Sequence, residues 1–224
     1  MGAYIKLDQI KAKSETTTKQ KVLSIGYIML VGIIMGVAAK LVDAPGINPI
    51  FDDIGGRLAV WVFVATLISV FSYSPKWAAV NIFAYFGSML TVYYAYTVLF
   101  LHFSPERAMV FWGICAVGSP ICGYIMWYAR GNGRFSNVVA ALPITLILSE
   151  GFQLRHAYLP IHTHYYLIPY LMTIYLIMSV VLLLVIPKNK IRLFPILSIA
   201  LIMSFIMIYF NVLGRIFGGM NGVL

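Results

Sequence analysis

Charge is scarce in this chain, and negative charge is scarcer still. Of 224 residues, 10% are Asp, Glu, Lys or Arg, and only seven are acidic. Soluble domains carry about 25% charged residues, so a water-facing surface cannot be built from this stock and a soluble globular fold is excluded. A Gly-rich phosphate loop is missing, and the tight loops Ser74–Trp77, Arg130–Arg134 and Pro187–Arg192 could not fold a nucleotide-binding domain. Autonomous ATP-driven work is thereby excluded. Neither Gly-x-Ser-x-Gly nor His-Glu-x-x-His occurs, which removes the usual carriers of nucleophilic and helix-borne metal catalysis. Cysteine is limited to Cys115 and Cys122, seven apart in one apolar run. They read as small packing residues.

What is abundant is apolar sequence, at 61% of the chain. A spanning helix needs about 20 mostly apolar residues. Seven segments approach that length: Val22–Leu41, Arg57–Tyr73, Ala78–His102, Ala108–Ala129, Phe135–Leu154, Tyr165–Ile186 and Leu193–Gly214. Val42-Asp43-Ala44 has the small residues of a signal-peptidase site. However, Pro45 would follow the cut and the apolar run exceeds a signal h-region, so the first segment reads as a retained anchor. The expected fold is an all-α integral membrane helical bundle of about seven transmembrane helices. A basic cytoplasmic tail (1–21) precedes the seven-helix domain (22–215), and a short extracellular tail (216–224) follows it.

Orientation follows from the basic residues. With the N-terminus inside, the inner side holds Lys6, Lys11, Lys13, Lys19, Lys21, Lys76, Arg130, Arg134, Lys188, Lys190 and Arg192, against Lys40, Arg57, Arg107, Arg155 and Arg215 outside. The bias is 11 to 5 with seven spans and vanishes at 8 to 8 if Phe135–Leu154 fails to cross. The N-terminus is thus expected inside and the C-terminus outside, in the cytoplasmic membrane of a cell. The net charge of +9 does not point to nucleic acid, because the cations cluster in the tail and punctuate apolar runs. Anionic lipid of the inner leaflet is the expected partner of the tail.

Glu150 interrupts the fifth segment. It lies 15 residues after Phe135, about 22 Å into an apolar layer about 30 Å thick. An ionisable group there usually faces protein or a water-filled cavity. Three readings stand: a proton, cation or cationic-substrate site; a structural ion pair with Arg57 or Lys40; or the end of the span. His156, His162 and His164 follow within nine positions. Three imidazoles could hold zinc or copper with Glu150 as general base, or could be ordinary interfacial histidines beside Tyr158, Tyr165 and Tyr166.

Tyr93, Tyr94, Tyr96, Phe100 and His102 occupy the outer half of the third segment. Tyr93 and Tyr96 share a face with Phe100, so part of this stretch is expected to enter the bundle as a pocket wall for an apolar or cationic ligand. The alternatives are an interfacial aromatic belt and plain packing. Asn81, Asn137 and Asn211 are expected to bond between helices. Gly32-Ile-Ile-Met-Gly36 permits close helix approach. Gly118-Ser119-Pro120 and Ala141-Leu142-Pro143 are expected to kink two neighbouring spans, a pointer to a cavity or hinge.

The segments Gly56-Arg57-Leu58-Ala59-Val60-Trp61, Tyr93-Tyr94-Ala95-Tyr96 and Ser149-Glu150-Gly151 resemble an uncharacterised family of small bacterial multi-pass integral membrane proteins. The resemblance implies a bacterial membrane protein and, the family having no assigned activity, carries over no functional residue. Three functions follow as expectations from the residues. The leading one is a transporter-like protein, or a membrane component of a transport system. Its small-molecule or ion pocket would lie in the outer half, bordered by Glu150, Arg57, Tyr93, Tyr96 and His102, and an ion gradient or a partner ATPase subunit would drive it. The second is a metal-assisted membrane hydrolase or transferase using His156, His162 and His164. The third is a non-catalytic immunity, sensory or assembly module.

Overall fold

The computed structural model describes residues 17–42, 58–102, 104–157 and 165–217. They form helices α1 (Thr18–Val42), α2 (Leu58–Phe71), α3 (Pro75–Phe100), α4 (Glu106–Met126), α5 (Arg134–Ala157), α6 (Ile168–Val185), α7 (Leu193–Tyr209) and a last turn and a half, α8 (Val212–Phe217). A 3-10 turn, Trp127–Arg130, extends α4. No strand occurs among the described residues. Six helices, all but α2 and α8, are long and apolar enough to cross a membrane.

The outward faces of these helices are those of a protein dissolved in lipid. On α4, Val110, Ile114, Val117 and Ile121 are each more than 60% exposed. Their 4-3-4 spacing makes one continuous apolar stripe. Helix α5 is the exception, because 56% of its apolar window is buried inside the bundle. Shielding from lipid explains why the segment with the most polar residues (Ser136, Thr145, Ser149, Glu150) still forms a long helix.

Helices α1 and α3 run parallel. Lys21 Nζ lies 5.9 Å from the Trp77 ring at one end, and Lys40 Nζ lies 4.6 Å from the Tyr93 ring at the other. Between these points Gly32 and Gly36 admit α3 so closely that a Cβ on Gly36 would stand 2.6 Å from the Met89 carbonyl oxygen, and one on Gly32 would overlap Ser88 Oγ. The small-xxx-small pattern therefore serves packing within the chain. Two parallel neighbours require a return path between them, and α2 is the described helix on that path. At about 1.5 Å per residue, its 14 residues reach about 21 Å, short of an apolar layer of about 30 Å.

The second half repeats the pattern. Arg192, just before α7, bonds Asn137 in the first turn of α5, and further along Thr145 Oγ1 donates to the Ala200 carbonyl at 3.4 Å. Ser204 Oγ donates to the Thr145 carbonyl at 3.2 Å. Helices α5 and α7 are thus parallel as well, with α6 returning between them.

Two expectations change in detail. The seventh segment, read as helical to Gly214, stops at Tyr209, and the helix restarts at Val212. Asn211 adopts φ +47° at the break, the left-handed state that Asn tolerates and that ends helices. The interruption at Pro120 is chemically repaired. Proline leaves the Ala116 carbonyl without its helical donor, and Ser119 Oγ donates to that oxygen at 2.7 Å.

Candidate functional site

Helix α2 begins, among the described residues, at Leu58. Gly55-Gly56-Arg57 precedes Leu58, and none of these side chains belongs to the Ser, Thr, Asp and Asn set that caps helix starts. An acceptor comes from across the bundle. Glu150 Oε1 accepts the Leu58 N–H at 3.2 Å and Oε2 accepts the Ala59 N–H at 2.7 Å. Both carboxylate oxygens thus lie on the positive end of α2, where orphan donors and the helix dipole favour an anion.

Neighbouring residues fix Glu150 in place. Ser149 is fully buried, and its hydroxyl donates to the Thr145 carbonyl at 2.7 Å. Gly151 lets α6 approach, since a Cβ there would stand 2.8 Å from Tyr175 Cβ. The segment Ser149-Glu150-Gly151 is therefore the point where α5 meets both α2 and α6. Helix capping was not among the sequence-level readings of Glu150. The signal that could have found it is the want of a capping side chain in Gly55-Gly56-Arg57, which invites an acceptor from elsewhere.

The other expected pocket residues are dispersed. The ring of half-buried Tyr93 receives Lys40, an internal cation on an aromatic face. It also meets Tyr94 edge-on at 5.2 Å. Tyr96 stacks on Phe100 at 4.9 Å, and both are exposed. The buried residue of that turn is Thr97, whose hydroxyl donates to the Tyr93 carbonyl at 2.9 Å. Of this stretch, Thr97 is buried and Tyr93 and Tyr94 are half-buried, while Tyr96 and Phe100 lie on the exposed side of α3. His102 is exposed with φ +50° and ends α3. Arg57, His162 and His164 lie outside the described residues, as does the side chain of His156 in the last turn of α5. Among the described residues no three His, Cys, Asp or Glu side chains gather as a metal site.

An open groove of about 520 Å³ runs between the C-terminal half of α3 and the start of α4. Leu90, Tyr94, Val98, Leu99, Met109 and Gly113 line it. Its walls are almost wholly apolar, which suits a hydrocarbon chain better than a solute.

At the opposite end a second polar centre escaped the sequence reading. Arg192, counted there only as a topology signal, is 9% exposed. Its Nη1 donates to the Gly131 carbonyl, Nη2 to the Ala129 carbonyl at 3.3 Å, and Nε to Asn137 Oδ1 at 2.7 Å. The guanidinium thus ties the entry to α7 to the turn between α4 and α5. Beside it, Trp127 Nε1 donates to the Ser72 carbonyl at 2.7 Å, and Asn81 Nδ2 donates to Ser72 Oγ at 3.0 Å. These bonds gather the loops after α2, α4 and α6 at one end of the bundle. Asn81 and Asn137, expected to bond between helices, here bond the turn after α2 and the 3-10 turn before α7.

The chain matches no family model, no curated protein and no solved structure. Class is therefore set by the fold alone: six long, lipid-compatible helices make this a multi-pass helical membrane protein. Its particular activity must be argued from the contact between Glu150 and α2.

Proposed function

We propose that the chain is a transporter-like membrane protein in which α2 is the moving element and Glu150 its proton-controlled latch. The observation that carries this reading is a carboxylate bound by two backbone N–H groups at the start of a helix too short to cross the bilayer alone. Interrupted helices whose positive ends meet anionic groups inside the membrane are a recurrent device of secondary transporters. Here the carboxylate of Glu150 occupies the place an anionic substrate group takes in such proteins. Protonation removes its charge and replaces one acceptor lone pair with a donor, which cannot face an N–H. The start of α2 is then released. Motive force comes from a proton gradient, consistent with loops too small to hold a nucleotide-binding domain.

The topology that goes with this reading has seven crossings, α2 included, with the N-terminus inside. The parallel course of α1 and α3 supports counting α2. The gathering of Lys76, Arg130, Arg134, Lys188, Lys190 and Arg192 on three adjoining loops supports assigning that end to the cytoplasm.

The test is proton flux. Purified protein is reconstituted in liposomes with an internal pH dye, and a potassium diffusion potential is imposed with valinomycin. Wild-type vesicles are expected to acidify faster than empty ones, and Glu150→Gln is expected to lose that flux while eluting as a folded protein. Wild-type flux no faster than that of empty liposomes ends the proposal, as does full flux in Glu150→Gln.

A second reading, a non-catalytic assembly or sensory module, is favoured by one group of observations. Many hydroxyls within the spans (Ser69, Ser88, Thr91, Thr97, Thr173, Ser179) donate back to carbonyls of their own helices. Polar side chains used in this way do not line a solute path. Under this reading Glu150→Gln changes stability alone.

A further inference from the structure

The two turns joined by Trp127 carry an unusual electrostatic arrangement. Phe71 ends α2, and the Ser72–Ser74 turn leads into α3. Arg130 ends the 3-10 turn, and Gly131–Gly133 leads into α5. The Trp127–Ser72 bond holds these two turns together. On this platform the Arg130 guanidinium carbon lies 4.4 Å from the centre of the Phe71 ring. Its Nε is buried and has no hydrogen-bond partner. The backbone oxygens of Ala129 and Gly131, on either side of it, already accept from Arg192.

Two long helices start at this platform, and both start with the wrong charge. Anions are favoured in the first turn of a helix and cations disfavoured. Helix α3 has no acidic residue in its first turn and carries the exposed Lys76 as its second residue. Helix α5 likewise has none and begins on the exposed Arg134. The described cations at this end are Lys19, Lys21, Lys76, Arg130, Arg134, Lys188, Lys190 and Arg192, while the two described carboxylates, Glu106 and Glu150, belong to the opposite end. Three cations and two helix N-termini are thus gathered at one end of the bundle with no described carboxylate among them, and an anion is favoured there.

We propose that this patch is a headgroup site for an anionic phospholipid, its phosphate held by the Arg130 guanidinium and flanked by Lys76 and Arg134. An arginine held over an aromatic ring suits a phosphate diester, because the ring restrains a group whose forked N–H donors can chelate two oxygens. The favoured source is lipid, since the patch lies at the ends of membrane-crossing helices. The exposed Ile191 and Phe194 beside the neighbouring loop provide an apolar flank for acyl chains.

Native mass spectrometry of protein released from mixed phosphatidylcholine and phosphatidylglycerol nanodiscs tests this. Wild type is expected to retain at least one phosphatidylglycerol in preference to phosphatidylcholine. Arg130→Gln is expected to lower that retention at least fivefold. Phe71→Leu, which keeps every cation, is expected to lower it severalfold and remains informative if Arg130→Gln folds poorly. Lys188→Gln, which removes the same charge from the neighbouring loop, is expected to leave retention nearly unchanged. Equal losses in Arg130→Gln and Lys188→Gln would show a diffuse cationic surface and overturn the site. Phosphatidylglycerol retention unchanged in Phe71→Leu, or fully displaced by 10 mM inorganic phosphate but not by sulfate at equal ionic strength, would overturn the lipid assignment.

Discussion

Glu150 Oε2 lies 2.7 Å from the backbone nitrogen of Ala59, a residue 91 positions earlier in the chain. One side chain of the most buried spanning helix thus caps the first described turn of α2. A charged acceptor on orphan N–H groups contributes more than a neutral one, about 1.5–3 kcal/mol for hydrogen bonds to charge. Glu150→Ala is therefore expected to destabilise the protein in detergent by about 2 kcal/mol, and Glu150→Gln, which keeps one acceptor oxygen, by about half as much. Thermal unfolding followed by tryptophan fluorescence measures both. An Ala variant as stable as wild type would mean that the contact contributes nothing.

The approach of α1 to α3 gives a paired prediction. Gly36→Val places side-chain atoms against the Met89 backbone, which cannot yield as a flexible side chain would, and Gly32→Val meets Tyr85 and Ser88. Each is expected to cost about 1–3 kcal/mol, the usual penalty of overpacking. Gly26, with open space around its Cα, is the control on the same helix, and Gly26→Ala is expected to be neutral or slightly stabilising. Melting temperatures of the three variants should separate accordingly.

Arg192 supports a test of geometry against charge. Arg192→Lys keeps the charge but cannot reach two carbonyls and Asn137 together, because an ammonium has no planar fork. A loss of about 2 kcal/mol is expected for the Lys variant. Asn137→Leu should cost less, as it removes one of the three acceptors. A Lys variant matching wild type in urea or thermal unfolding would reduce Arg192 to a topology signal.

The repaired kink on α4 predicts coupling. Ser119→Ala leaves the Ala116 carbonyl without its donor and is expected to cost about 1 kcal/mol. In a Pro120→Ala background the backbone N–H of residue 120 returns to that carbonyl, and the same Ser119→Ala change should cost almost nothing. A double-mutant cycle reads the difference directly. Additive effects would break the link between the two residues.

Six of the seven expected spans were legible in the sequence because lipid imposes a length and a composition on each crossing helix, while the second segment forms a helix of 14 residues. The segment Phe135–Leu154, which Glu150 interrupts, is one of the six helices long and apolar enough to cross. Its burial in the centre of the bundle explains its polarity. Gly32 and Gly36 were legible as a packing motif, since spacing alone puts them on one face. The partner of Glu150 was not legible, because a cap supplied from another helix leaves no local signature beyond the missing one at Gly55-Gly56-Arg57. Arg192 was hidden for a related reason: a loop cation that marks topology and one that bonds two carbonyls read the same in sequence. Tyr96 and Phe100 went the other way, since helical spacing shows that they share a face but not which medium that face meets.

The late arrival of Glu150 has a consequence for how the molecule is made. When residues 58–71 leave the ribosome, the acceptor that Ala59 meets in the folded protein is still 91 residues from being synthesised. A short segment whose leading amides await their partner cannot settle in hydrocarbon without cost. Its final seat in the bilayer is accordingly a post-insertion event, completed only when the central helix joins the assembly. Ribosome-stalled chains ending before residue 150 should leave this segment open to water-soluble probes, and longer ones should hide it.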